Sequence, residues 1–406
     1  EFQIHLPPDT KTLPELFREA GYETFAATKD DFNFVYDRNA LYSIGNEKAK
    51  AVDAKNWKGS MGGGSWRDVT EGRPFYGKIA IAGGKGTRDI NAHLKSLGLE
   101  PVRPANVRVP AQYPDLPQVR KHIATHYNTI LMTDHALGEV MAQLKKDGLW
   151  GNTIIFLYSD HGSDLPRSKE FVYHEGLQVP FIVAAPGLTT AMRPGSQRND
   201  IVSLMDIAAT SLALAGLPVP GYMDSRNTFD PDYSREYVFS SADRMSNVID
   251  RVRSVMGTEF HYIRNFLTDR PLMNWGHREM IALAAPEKSS FLTIRKLAEA
   301  GKLTPAQAAP YGPRIAEELY HLPSDPDEVV NLASDPRYSG QLAEMRAALA
   351  AWIVDTGDKG QYPRSKAAMK EITDRYPPGW LRSPEFQYLQ VKADKAAPEK
   401  GKEGSR

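Results

Sequence analysis

Cysteine is absent from the 406-residue chain. That excludes a disulfide framework, a thiolate zinc site and a cysteine nucleophile within these residues. A surplus of either charge is missing too: 50 Lys and Arg balance 50 Asp and Glu. Without a basic excess there is no electrostatic footprint for nucleic acid or for an anionic membrane surface. Long apolar runs are also lacking. The two longest uncharged stretches, Gly176 to Met192 and Ile207 to Met223, have 17 residues each and are interrupted by Pro and Gly. A membrane helix needs about 18 or more largely apolar residues, so no span is expected. Finally, the chain opens Glu1-Phe2-Gln3, with neither methionine nor a signal-like segment. It reads as N-terminally truncated.

What is present alternates between helical and strand patterns. Thr12 caps a short helix over Leu13 to Ala20, with Leu13, Leu16, Phe17 and Ala20 at the spacing of one buried face. Strands follow at Tyr22–Ala27 and Phe75–Ala82, and a long helix at Leu116–Lys146 has Ile123, Tyr127, Ile130, Leu131, Leu137, Val140, Met141 and Leu144 as its stripe. Thr153–Tyr158 and Val179–Ala185 are nearly all apolar, as strands covered on both faces would be. Asp206 opens another helix. This alternation predicts an α/β fold, a mostly parallel central sheet flanked by helices, over residues 1–230. Short antiparallel strands at 237–240, 252–256 and 260–264 and a helix at 341–354 predict a smaller α+β domain over residues 231–356. Residues 357–406 form an extension, and the Lys-, Glu- and Ala-rich tail from about 391 has too little to bury to be ordered.

Four places could carry chemistry. Ser159-Asp160-His161-Gly162 follows an apolar strand, where ligands of open α/β sheets bind. Asp160 offers a hard oxygen and His161 a nitrogen, a usable pair of metal ligands; Asp160 could equally cap a helix. Arg167-Ser168-Lys169 supplies cations a few residues on, suited to an anionic group, though a lone loop lysine is commonly just solvated. Lys29-Asp30-Asp31 follows the first strand and suits either a cation or a helix N-terminus. Gly83-Gly84-Lys85-Gly86 could approach an anion through backbone amides, or simply turn, and it lacks the Ser or Thr of a nucleotide-binding loop. Trp57 and Trp66, within the Asn46–Arg73 segment, offer stacking faces for a sugar or aryl group, or belong to a solvated insertion.

Taken in order, these segments resemble the sulfatase family of the alkaline-phosphatase superfamily, from Thr12 to about Trp352. Thr12 to Tyr22 followed by Lys29 is similar to the stretch before an active-site lysine. Tyr158 to Gly162 resembles the second metal-ligand motif, and Arg167 to Pro180 the loop of the second active-site lysine. Ser203 to Gly216 and the Glu318-Leu319-Tyr320 … Asp325-Pro326-Asp327-Glu328 … Asn331-Leu332 signature match without carrying chemistry. The resemblance implies hydrolysis of sulfate esters or sulfamates, on a sulfated carbohydrate or aryl sulfate, with Ca2+ and a formylglycine nucleophile. It assigns Asp160 and His161 to the metal, Lys29 and Lys169 to catalysis, and Lys85 and Asp31 to substrate binding. It also implies a periplasmic or secreted location.

The departures are specific. No C/S-x-P-x-R nucleophile motif and no Asp-Asp pair ahead of Lys29 occur; in the family both lie further upstream, so about 80–100 more residues are expected. Asp31 and Lys85 stand where many members carry histidines, and His161 where many carry Asn. Two alternatives follow: a phosphodiesterase or phosphomonoesterase of the same superfamily, or a non-catalytic relative that kept the anion cleft.

Overall fold

The computed structural model describes residues 5–28, 32, 34–46, 62–81, 90–187, 193–245 and 247–387. Its chain divides into two compact units: Glu1–Gly83, Met132–Phe156 and Val183–Arg235 form the first, and Gly84–Leu131, Leu157–Ile182 and Glu236–Arg406 the second. The switch at Arg235 lies close to the expected boundary at 230, while 84–131 and 157–182 also belong to the second unit.

In the first unit the helix Leu13–Glu19 starts at Thr12, whose backbone N–H and hydroxyl both donate to the Glu15 carboxylate, at 2.7 and 2.6 Å. This satisfies a donor that the first helical turn leaves open. Phe17 is buried, between Tyr22 and Tyr76, but Ala20 is exposed, because the helix has ended at Glu19. Strand β1 (Glu23–Thr28) pairs antiparallel with β2 (Gly62–Gly63) and parallel with β3 (Phe75–Ile79).

The long helix runs Pro117–Lys146. Its stripe differs from the sequence expectation: Tyr127 and Ile130 are exposed, at 39% and 45%, and the inward position is taken by Asn128. Asn128 accepts the Val102 N–H at 2.7 Å and donates to Asn91 at 3.0 Å, so a polar side chain is satisfied where an apolar one was expected. Strand β4 (Ile155–Tyr158) and strand β5 (Phe181–Ala184) pair only with each other among the described residues. Neither strand has a fully buried residue, and Tyr158 and Ile182 are 43% and 57% exposed. The described strands ahead of residue 236 make two sheets, β2-β1-β3 and β4-β5.

The second unit holds the antiparallel sheet β6 (Val238–Met245), β7 (Val248–Met256), β8 (Phe260–Asn265) and β9 (Glu317–His321), in that order. Side chains alternate between its faces. Val255, Tyr262 and Leu319 face the helix Ser339–Asp355 through Leu342, Met345 and Leu349. Val252, Ile263 and Tyr320 face the other way and pack on Val172 and Tyr173. The sheet therefore supports the loop that follows β4. No helix among the described residues is long and apolar enough to cross a membrane.

Candidate active-site loop

The chain from Ser159 to Gln178 is nearly all irregular, so its backbone groups need partners other than a ladder. Gly162 N–H donates to the Gly176 carbonyl at 3.1 Å, Lys169 N–H to Ser163 at 3.1 Å and Phe171 N–H to Ser168 at 3.1 Å. Ser168, fully buried, donates its hydroxyl to the Glu175 carbonyl at 3.1 Å. Two glycines are required by space. A Cβ on Gly162 would lie 2.5 Å from the Glu175 carbonyl oxygen, and one on Gly176 would lie 2.3 Å from that of Ser168. Glu170, next to Lys169, adopts φ 80°, a conformation that L-residues rarely hold.

At the loop's start, Ser159 donates to the His161 carbonyl at 2.7 Å. His161 Nδ1 lies 2.7 Å from the Gly162 carbonyl oxygen, which can only accept, so Nδ1 carries the hydrogen. Nε2 lies 3.5 Å from Asp160 Oδ1. Fixing of one ring nitrogen by a backbone carbonyl is how metal-binding imidazoles are oriented. The Asp160 side chain is 70% exposed and that of His161 22%. The pair fits part of a cation site; among the described residues no group of three or more His, Asp or Glu side chains is arranged to hold a metal.

The far side of the loop is held by buried charge. Arg167 donates to the Glu328 carbonyl at 2.9 Å and to that of Asp327, and its guanidinium lies 4.3 Å from the Tyr173 ring centroid. Glu328 is 1% exposed; its carboxylate accepts the His174 backbone N–H at 2.7 Å and meets the buried His261 Nδ1 at 2.5 Å. Burial alone would raise the Glu328 pKa, but His261, Arg167 and the His174 amide outweigh it and hold the carboxyl below the ordinary range. Glu175 goes the other way. Burial raises its pKa, although Arg167 and the donors Gln112 Nε2 at 2.7 Å and Tyr113 OH at 2.8 Å partly offset this. His174 is pushed down, first by burial and then by His261, against Glu328.

Of the residues singled out from the sequence, the structure brings Asp160, His161 and Lys169 onto this one loop, with Lys169 half-buried. Lys29, Asp31, Lys85 and Trp57 lie outside the described residues, as does the tail from 391. Trp66 is anchored at the end of the long helix: its indole N–H donates to Asp147 at 2.9 Å, and Arg67 pairs with the same carboxylate. Sequence reasoning missed Glu328 and His261, which meet the loop only through the fold. The acidic Asp325-Pro326-Asp327-Glu328 run was the available signal.

Residues 1–217 match the family model described as Sulfatase. The chain belongs to the sulfatase family. It is 29% identical over 404 residues to an ulvan-active sulfatase of Formosa agariphila, covering 90% of this chain and 63% of that one. It is 27% identical over 271 residues to human N-sulphoglucosamine sulphohydrolase, covering 63% and 52%. The chain thus spans between half and two-thirds of the length of these relatives. A solved 2-O GAG sulfatase superposes with a TM-score of 0.54 at 18% identity, covering 93% of this chain and 81% of that one, a likeness of α/β fold.

Proposed function

We propose that this chain forms most of a sulfatase that removes sulfate from a sulfated carbohydrate, using calcium and a formylglycine nucleophile. The observation that carries the reading is the loop itself, in a chain of this family. A His whose Nδ1 is fixed by a backbone carbonyl stands beside an exposed carboxylate, and a lysine follows on the same glycine-stitched turn. Carbohydrate is favoured as the substrate class because the two curated relatives are named for ulvan and for N-sulphoglucosamine.

Asp160 and His161 would hold the cation, together with ligands outside the described residues. When bound, a divalent metal supplies positive charge against the sulfuryl oxygens. Lys169, whose backbone N–H is bonded to Ser163, would bring an ammonium to the charge that develops on the leaving oxygen. Lys29 is proposed for the same anion, with Lys85 and Asp31 at substrate-binding positions. None of the 406 residues forms a C/S-x-P-x-R motif, so the reading requires the nucleophile to come from a segment beyond them.

The test is a paired assay of the full gene product on sulfated saccharides and aryl sulfate with calcium, and on aryl phosphate with zinc. Sulfate release that Lys169→Ala lowers by about 100-fold or more supports the reading, on the scale of one lost electrostatic donor. Faster phosphate turnover would replace it with the phosphoesterase alternative. The 406 residues alone should release no sulfate; turnover by them would refute the requirement for an outside nucleophile.

A further inference from the structure

We propose that Glu328 is a positioning residue: it clamps the loop that carries Lys169 onto the β6–β9 sheet. The inference rests on the functional reading above for its kinetic consequence, but the clamp itself is geometric. Residues 327 and 328 grip the loop on both sides of Lys169. Ahead of it, Arg167 donates to the carbonyls of Asp327 and Glu328. Behind it, the Glu328 carboxylate accepts the His174 N–H at 2.7 Å.

The other oxygen of that carboxylate meets His261, and His261 belongs to β8. It is paired there with Met256 of β7 and Tyr320 of β9, so it sits inside the ladder rather than at its edge. One buried side chain therefore ties the irregular loop to the most regular part of this unit. Glu328 itself is held at φ 50°, an uncommon conformation for a non-glycine residue. Glu170, beside Lys169, is held at φ 80° between the two grips. A strained lysine turn keeps its shape only if its surroundings impose it.

The clamp predicts a specific coupling. Displacing a catalytic group by about 1 Å can cost about 100-fold in rate. In the full gene product, Glu328→Gln removes the charge and presents an amide to His261. It is expected to lower kcat by about 10- to 100-fold while KM moves by less than about threefold, the pattern of a contact made in the transition state. A loss of generic stability would give a similar fall, so the deciding readout is a cycle with Lys169→Ala. If Glu328 acts through Lys169, adding Glu328→Gln to Lys169→Ala changes kcat by no more than about twofold. Multiplicative losses overturn the proposal.

A second readout needs no turnover. Competitive labelling with acetic anhydride, read by mass spectrometry, should change at Lys169 by several-fold in Glu328→Gln and stay constant at Lys366 and Lys370. Unchanged Lys169 labelling overturns the clamp. If the wild-type protein releases no sulfate, the functional reading fails and the labelling result alone decides. Should Glu328→Gln not fold, Glu328→Asp, one methylene too short to reach both partners, is put through the same measurements.

Discussion

Gly162→Ala is the sharpest perturbation of the metal-side turn. The added Cβ would stand 2.5 Å from the Glu175 carbonyl oxygen, 2.8 Å from Gly176 Cα and 2.8 Å from Ser168 Oγ. Two of these are backbone atoms and the third belongs to a fully buried serine, so little can yield cheaply. Overpacking of this kind costs about 1–3 kcal/mol, and parting Gly162 N–H from the Gly176 carbonyl adds about 1 kcal/mol. A local cost of about 2–4 kcal/mol corresponds to roughly 30- to 700-fold faster opening. A chain of two units is not expected to unfold in one step, so amide hydrogen exchange over residues 159–178 is the right assay. Gly138→Ala is the control. It lies inside the Pro117–Lys146 helix with nothing within 4 Å of its Cβ, and should stabilise by about 0.5–1 kcal/mol. If exchange in the 159–178 segment of Gly162→Ala stays within about threefold of wild type, the steric reasoning is wrong.

Three more outcomes follow from the same geometry. Arg167→Ala leaves the carbonyls of Asp327 and Glu328 without their donor, at about 1–3 kcal/mol for the buried Glu328 carbonyl, and urea unfolding of the second unit should shift accordingly. Glu175 binds its proton more tightly in the folded state than in the unfolded one. Stability tied to it is therefore full below the ordinary carboxylate range and falls as pH rises through its raised pKa; Glu175→Gln should flatten that limb of a Tm-against-pH curve. Asp147 should titrate at about 2 by carboxyl NMR, held down first by Arg67 and then by Trp66. Trp66→Phe should raise that value, and an unchanged titration would remove Trp66 from its anchoring role.

The parts of this protein that could be read from its sequence are those whose cause is local. Asp160-His161-Gly162 after an apolar run marks a strand-end turn because a small residue must follow where two stretches of the loop touch. The 237–264 strands and the helix at 339–355 announce themselves by period and by length. What escaped depends on partners far away in the chain. For Trp66, spacing cannot show that Asp147, 81 residues later, takes its N–H. The helix Lys366–Arg375 escaped for a related reason. Its sequence is polar, and it is held by one fully buried residue, Ile372, packed with Ile249, Leu267, Leu381 and Phe386.

Glu328 shows why the C-terminal signature resembles its family although it touches no reacting atom. In the β6–β9 sheet, the ladder satisfies the backbone, and apolar side chains do the rest. The 159–178 loop has no ladder, so side chains must supply what regular structure would have supplied. Ser168 does so for the Glu175 carbonyl and Glu328 for the His174 amide, while Arg167 ties the loop to the carbonyls of Asp327 and Glu328. Buried charge is costly unless it is paired, and Glu328 finds its partner in His261 of the sheet. A site that must hold exposed polar groups in an irregular turn thus transfers its specification to residues 154 to 161 positions away. Substitutions there should act on the turn's chemistry before they act on the fold.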